Sequence, residues 1–144
     1  MIIRDTTLSD ADAVYSLLTE FATSHRPERG VFDEVTFPRV LGAAVQGGAE
    51  FLVAEREARV VGYVLALRLP TLFAGGTILE LLELTVAVPE RGRGTGSALI
   101  RAVQARAREA GDVEVTVPTR RAAGFYRTLD FQETAAYLKW PVGQ

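Results

Sequence analysis

The chain has 144 residues, 48% of them hydrophobic and 24% charged, with a formal net charge of −2. That is ordinary composition for one globular domain with a real core, and it leaves no broadly basic surface for nucleic acid. With no cysteine and one histidine, disulfides, cysteine nucleophiles, thiolate sites and a zinc site drop out. No signal-like segment opens the chain and no apolar run reaches about 18 residues, so the expectation is a soluble cytoplasmic protein without metal or membrane partner.

Ile2-Ile3-Arg4 reads as a first strand. Ser9 and Asp12 fit a capping box, and Val14, Leu17, Leu18 and Phe21 recur at helical spacing, predicting a helix from about Asp10 to Ala22. The stretch from His25 to Gly30 reads as a breaker-rich loop. A second helix is expected over Thr36 to Val45, with Pro38 tolerated in its first turn and Gly47-Gly48 ending it. Phe51 to Glu55 and Val60 to Leu69 form a hairpin pattern, and Pro70 to Gly76 a loop. Thr77 to Val88 is a long, nearly continuous apolar strand of the kind buried on both faces. A helix runs to about Ala110, with Leu99, Ala102, Val103 and Ala107 on one face and Gly111 as its stop. Val113, Val115 and Val117 alternate as a strand. A short helix over Arg120 to Leu129 and a last strand over Phe131 to Trp140 complete the chain. The predicted order makes residues 1–144 a single α/β (α+β) domain. It is one mixed, mostly antiparallel sheet with helices on both faces, and the strands flanking the long helix run parallel.

The organising stretch is Leu84 to Gly96, an apolar strand that enters a turn holding Gly92, Gly94 and Gly96, followed at once by a helix. Glycines let backbone approach a bulky anion, and a helix N-terminus aims free N–H groups and a positive dipole end at it. Arg91 and Arg93 sit in the same turn, which therefore reads as a pyrophosphate cradle. A dinucleotide fingerprint fits poorly. Gly92 and Gly94 match it, but Ser97 stands at its third glycine, and the turn follows a fourth strand rather than a first. Glu114 is the one feature in its favour. The Gly-Lys-Ser/Thr of a phosphate-binding loop is absent.

Arg91-x-x-Gly94-x-Gly96, with Leu84-x-Val86 before it, resembles motif A of the GNAT superfamily of N-acetyltransferases. Pro89 stands one residue later than the family's usual proline, which implies a different lead-in to an otherwise intact cradle. A second segment, Thr119 to Phe131, resembles the family's N-x-x-A-x-x-F-Y-x-x-L-G-F. Ala122, Phe125, Tyr126, Leu129 and Phe131 match, while Thr119 replaces asparagine and Asp130 replaces glycine.

The resemblance implies the acyl-CoA N-acyltransferase fold, with splayed parallel fourth and fifth strands, and acetyl-CoA as co-substrate. It assigns the pantetheine arm and thioester to Leu84, Thr85 and Val86, and the pyrophosphate to Arg91, Gly92, Arg93, Gly94, Thr95, Gly96 and Ser97. Thr119, Ala122, Phe125 and Tyr126 are the further cofactor contacts, and Tyr126 is expected to be the acid that protonates the leaving thiolate, or alternatively an amphipathic residue that packs its ring beside the cofactor. The base that deprotonates the amine is expected to be Glu83, then Glu80. Their odd spacing puts them on opposite faces of a regular strand unless a bulge intervenes. Either glutamate reads alternatively as a hydrogen-bonded or ion-paired strand residue with no catalytic part. His25 is a further candidate on the acceptor side or a solvated loop residue. The implied activity is direct acetyl transfer to a primary amine, with a small molecule (polyamine, amino acid, aminoglycoside) preferred as acceptor. The alternatives are a protein N-terminal or lysine acetyltransferase and a catalytically silent CoA-binding sensor. Homodimerisation is common in the superfamily, with Trp140 a candidate contact.

Overall fold

The computed structural model describes residues 1–21 and 27–143; His25 lies outside them. Five strands form one sheet in sequence order: β1 (Ile2–Asp5), β2 (Ala49–Arg56), β3 (Arg59–Thr71), β4 (Gly76–Val86) and β5 (Glu114–Thr116). The first four are antiparallel neighbours, and β5 runs parallel to β4. The helices are α1 (Ala11–Phe21), α2 (Arg29–Val31), α3 (Phe37–Val45), α4 (Thr95–Ala110) and α5 (Ala123–Arg127). Among the described residues, no helix is long and apolar enough to cross a membrane.

The period-2 alternation of the strands splits the core into two layers. Leu52, Ala54, Val64, Ala66, Leu79 and Leu81 pack against Leu99, Ile100 and Val103 of α4. Phe51, Val53, Tyr63 and Leu65 pack against Val14 and Leu17 of α1 and against Phe32 and Phe37. The strands buried on both faces are β2, over Phe51 to Ala54, and β3, over Val61 to Ala66, and not β4 as its composition suggested. In β4 Leu79 and Leu81 are buried but Leu82 is exposed.

Four local expectations need correction. The first helix is capped by Thr7 and Asp10, not by Ser9 and Asp12. The Thr7 backbone N–H donates to Asp10 Oδ2 at 2.8 Å, and Arg4 holds the same carboxylate through two hydrogen bonds. The second helix begins at Arg29, and a π-helical turn over Phe32–Thr36 joins α2 to α3. A wide turn suits Pro38, which has no N–H to offer the ladder. Arg29 anchors the early start by pairing with Asp33 and Asp12 and by stacking 4.8 Å from the centre of the Tyr15 ring. The expected loop from Pro70 to Gly76 is shorter, a turn over residues 72–75, since Pro70 pairs with Thr77 and Thr71 with Gly76. The sixth strand over Phe131 to Trp140 does not form. After the Phe131 N–H bonds to the Tyr126 carbonyl, the chain runs on without strand pairing, leaving Tyr137, Leu138 and Trp140 exposed. Apolar composition predicted a strand there, but a strand exists only against a partner, and β5 is just three residues long.

Candidate active site

Pairing of β4 with β5 stops early. Ile78, Leu79 and Glu80 face Glu114, Val115 and Thr116, and the remainder of β4 has no partner on that side. An open strand edge therefore leads directly into the glycine turn. The lead-in is a 3₁₀ turn over Val88–Glu90 with Pro89 inside it, the locally altered approach expected from the displaced proline. Gly92 and Gly94 have φ of 77° and 85°, a left-handed backbone that side-chain-bearing residues rarely adopt. Among the described residues, nothing lies within 4 Å of a Cβ placed at either position, which leaves that side of the turn open to a ligand. Gly96 is already helical, and a Cβ there would sit 3.6 Å from the Phe125 ring. Gly94 caps α4 without a side-chain bond, leaving first-turn N–H groups free. Beside them Thr95 is 1% exposed, and its hydroxyl has no partner.

These features border a cleft of about 570 Å³. Leu84, Thr85, Val86, Arg91, Gly92, Gly94, Thr95, Gly96, Ser97 and Phe125 line it, together with Glu20 and Glu90. Arg93, Thr119, Ala122, Tyr126, Glu80 and Glu83 are not among its lining residues. Arg91 Nε donates to the Val86 carbonyl at 3.1 Å, folding the guanidinium back on the strand end. Arg93 donates to Glu90 at 3.2 Å, and Glu90 also accepts from Arg56 at 3.1 Å. Thr119 Oγ1 accepts from the Ala122 N–H at 3.1 Å, so this threonine organises the turn before α5 and still has its own proton to donate. Asp130 adopts φ 72°, so the aspartate in the glycine slot does take the left-handed conformation. Tyr126 is buried, its ring edge-on to Phe125 and Phe131 at 5.0 and 5.4 Å. Burial raises its phenol pKa above the ordinary value, which keeps its proton in place at neutral pH.

The two glutamates lie on the other face of the sheet. The β3–β4 register shifts so that Leu65 faces Glu83 while Ala66 faces Leu81, leaving Leu82 as the extra residue of a bulge. The bulge cancels the odd spacing. Glu80, opposite Leu67, and Glu83, opposite Leu65, share the face that carries α1 and α3. The Tyr63 hydroxyl donates to Glu83 Oε1 at 2.6 Å, and Thr116 donates to Glu80 Oε1 at 3.2 Å. Asp10, Glu50, Glu55, Glu90 and Asp112 are also buried or half-buried, and each pairs with an arginine. Among the described residues, Glu80 and Glu83 pair with no arginine; each accepts one side-chain hydrogen bond, as the alternative reading of a hydrogen-bonded strand glutamate also expects. No cluster of three or more metal-ligating side chains occurs among the described residues.

The sequence reading missed Glu20, Glu90 and Tyr63. Glu90 was hidden by the expectation of purely cationic chemistry in the turn. Tyr63 needs the β3–β4 register, which no local pattern supplies.

A mixed sheet that opens between parallel β4 and β5 beside a helix N-terminus is the arrangement that the resemblance to the GNAT superfamily implies. The family model described as "Acetyltransferase (GNAT) domain" matches residues 47–133, and the chain belongs to that family. Human N-acetyltransferase 8B is 38% identical over 91 residues, 60% of this chain and 40% of the relative. Rat N-acetyltransferase family 8 member 2 is 36% identical over 92 residues, covering 61% and 41%. The chain thus spans about 40% of the length of these curated relatives. In fold, it matches glucosamine-6-phosphate N-acetyltransferase from Arabidopsis thaliana with a TM-score of 0.85 at 14% identity, over 98% of this chain and 97% of that one. Ribosomal-protein-alanine N-acetyltransferase from Brucella melitensis biovar Abortus 2308 gives 0.73 at 23% identity, over 99% of both chains.

Proposed function

We propose that this chain transfers the acetyl group of acetyl-CoA to a primary amine within a ternary complex. The observation that carries the reading is the pair of half-buried carboxylates, Glu80 and Glu83, that the Leu82 bulge turns to one face without an arginine partner. Negative charge kept uncompensated where the open strand edge begins suits a cationic acceptor.

The residues fit acetyl-CoA as substrate. Gly92 and Gly94 offer open backbone, and α4 offers free N–H groups with Ser97 in its first turn. Arg91 and Arg93 supply charge for the pyrophosphate. Leu84, Thr85 and Val86 border the cleft as the edge on which an extended arm would lie, with Phe125 across it. Thr119 and Ala122 shape the turn that places Phe125 and Tyr126.

An acceptor ammonium has a pKa near 10.4 in water and must lose a proton before attack. Glu83 takes that proton on its unoccupied Oε2, with Glu80 as the second carboxylate of the face. The freed lone pair forms the N–C bond at the thioester carbonyl, backbone N–H groups of β4 steady the developing oxyanion, and the C–S bond breaks. Tyr126 gives its proton to the departing sulfur, and the attacking nitrogen loses its second proton, which leaves the neutral amide and restores the phenol. A small amine is the favoured acceptor.

The test is release of free thiol from acetyl-CoA across polyamines, amino acids, aminoglycosides and peptides. Turnover with a small amine supports the reading, and turnover confined to peptides transfers it to a protein acceptor. Acetyl-CoA binding with no release from any amine overturns it in favour of a sensor.

A further inference from the structure

Tyr63 is 1% exposed at the centre of the sheet, yet its hydroxyl reaches the Glu83 carboxylate. It faces Thr85 across β3 and β4, one register step from the Leu65–Glu83 pair, so phenol and carboxylate meet diagonally on the same face. The ring has little freedom. It stands edge-on to Phe51 at 6.0 Å, Phe51 stands edge-on to Phe37 at 5.9 Å, and Phe37 packs on Phe32 at 5.1 Å. This aromatic ladder runs from the π-helical turn to the bulge and fixes where the hydroxyl points.

A 2.6 Å bond to Oε1 selects one rotamer of a side chain that otherwise has three freely rotating bonds. It leaves Oε2 without a partner among the described residues. Burial first, and then the charge of Glu83, push the Tyr63 phenol pKa far above its ordinary value. The phenol is therefore a fixed donor that does not exchange its proton with the acceptor amine.

We propose that Tyr63 is a positioning residue for the general base: it holds Glu83 by Oε1 so that Oε2 is presented to the acceptor ammonium. The proposal rests on the reading of Glu83 as base. It assigns Tyr63 no contact with either substrate.

The test is a double-mutant cycle of Tyr63→Phe and Glu83→Gln, read as kcat, KM for acetyl-CoA and amine, and melting temperature. Tyr63→Phe removes one oxygen and keeps the ring packing. It should lower kcat about tenfold, the scale of one lost hydrogen bond to a charged group, with KM for acetyl-CoA unchanged. In the Glu83→Gln background it should change kcat by less than about twofold, because residues acting as a unit are not additive. Glu83→Asp keeps the charge but falls short of the hydroxyl, and it should reproduce the Tyr63→Phe loss even if that variant folds poorly. Losses that multiply across the cycle, or a Tyr63→Phe enzyme with wild-type kcat, overturn the positioning role while leaving Glu83 as base. Wild-type kcat in Glu83→Gln overturns the base reading itself and this proposal with it.

Discussion

The two faces of the sheet are built to different rules. On the α4 face the site is made of backbone: left-handed glycines, free helix N–H groups and an open strand edge, with the arginines Arg91 and Arg93 tied to neighbouring atoms. On the α1/α3 face it is made of side chains, two carboxylates aligned by a bulge and held by hydroxyls. A site made of backbone is specified by local sequence, because glycine and its spacing dictate conformation directly. A site made of side chains across strands depends on register, which distant residues fix.

The division predicts separable phenotypes. The largest expected effect comes from Tyr126→Phe, which changes a residue of the α4-side core that is the proposed acid. It should cut kcat by about 100-fold, within the range of one lost general acid, and leave the acetyl-CoA Kd from calorimetry unchanged. A weakened Kd instead would make Tyr126 part of the binding cradle only.

Gly94→Asn comes next. Asparagine tolerates a left-handed backbone better than most side-chain-bearing residues, and its Cβ would have no described atom within 4 Å, so the melting temperature should fall only slightly. The side chain would project from the wall of the cleft, and acetyl-CoA should bind more weakly by about tenfold or more, roughly 1.4 kcal/mol. Unchanged binding would remove the glycine turn from the cofactor site. Arg91→Ala should weaken binding only about fivefold, since an exposed charge is worth roughly 1 kcal/mol or less, and the difference should shrink in high salt.

The smallest effect concerns stability alone. The Arg4 guanidinium first, and then the Thr7 backbone N–H, hold the Asp10 carboxyl below the usual carboxylate range against the opposing effect of burial. A depressed folded pKa gives stability that is present above the unfolded value near 3.9 and lost as pH falls below it. Asp10→Ala should cost about 1 kcal/mol at neutral pH in urea titrations, and its deficit should narrow below about pH 4. A deficit that does not change with pH would mean that the cap, not the charge, sets the loss.

The same contrast explains what the sequence revealed. Arg91-x-x-Gly94-x-Gly96 and Phe125-Tyr126 pointed to the family and to the cleft, and the long helix ended at Gly111 as its φ of 77° requires. Glu80 and Glu83 were legible as residues but not as a pair, because the bulge at Leu82 is set by how β4 meets Leu65 and Ala66. Tyr63 was invisible, being twenty residues from the glutamate it holds. Gly30 read as a helix breaker, yet Arg29 reaches Asp12 and Tyr15 and carries the helix through it. Phe131 to Trp140 had strand composition without a partner strand. In each case tertiary contact overrode local preference.

The central claim is that holding acetyl-CoA and deprotonating the amine reside on opposite faces of one strand. It is tested most directly by kcat and acetyl-CoA Kd measured together on Glu83→Gln. The account predicts a kcat lowered by about 100-fold with Kd unchanged within about twofold. A wild-type kcat, or a Kd weakened in step with the lost rate, would contradict it.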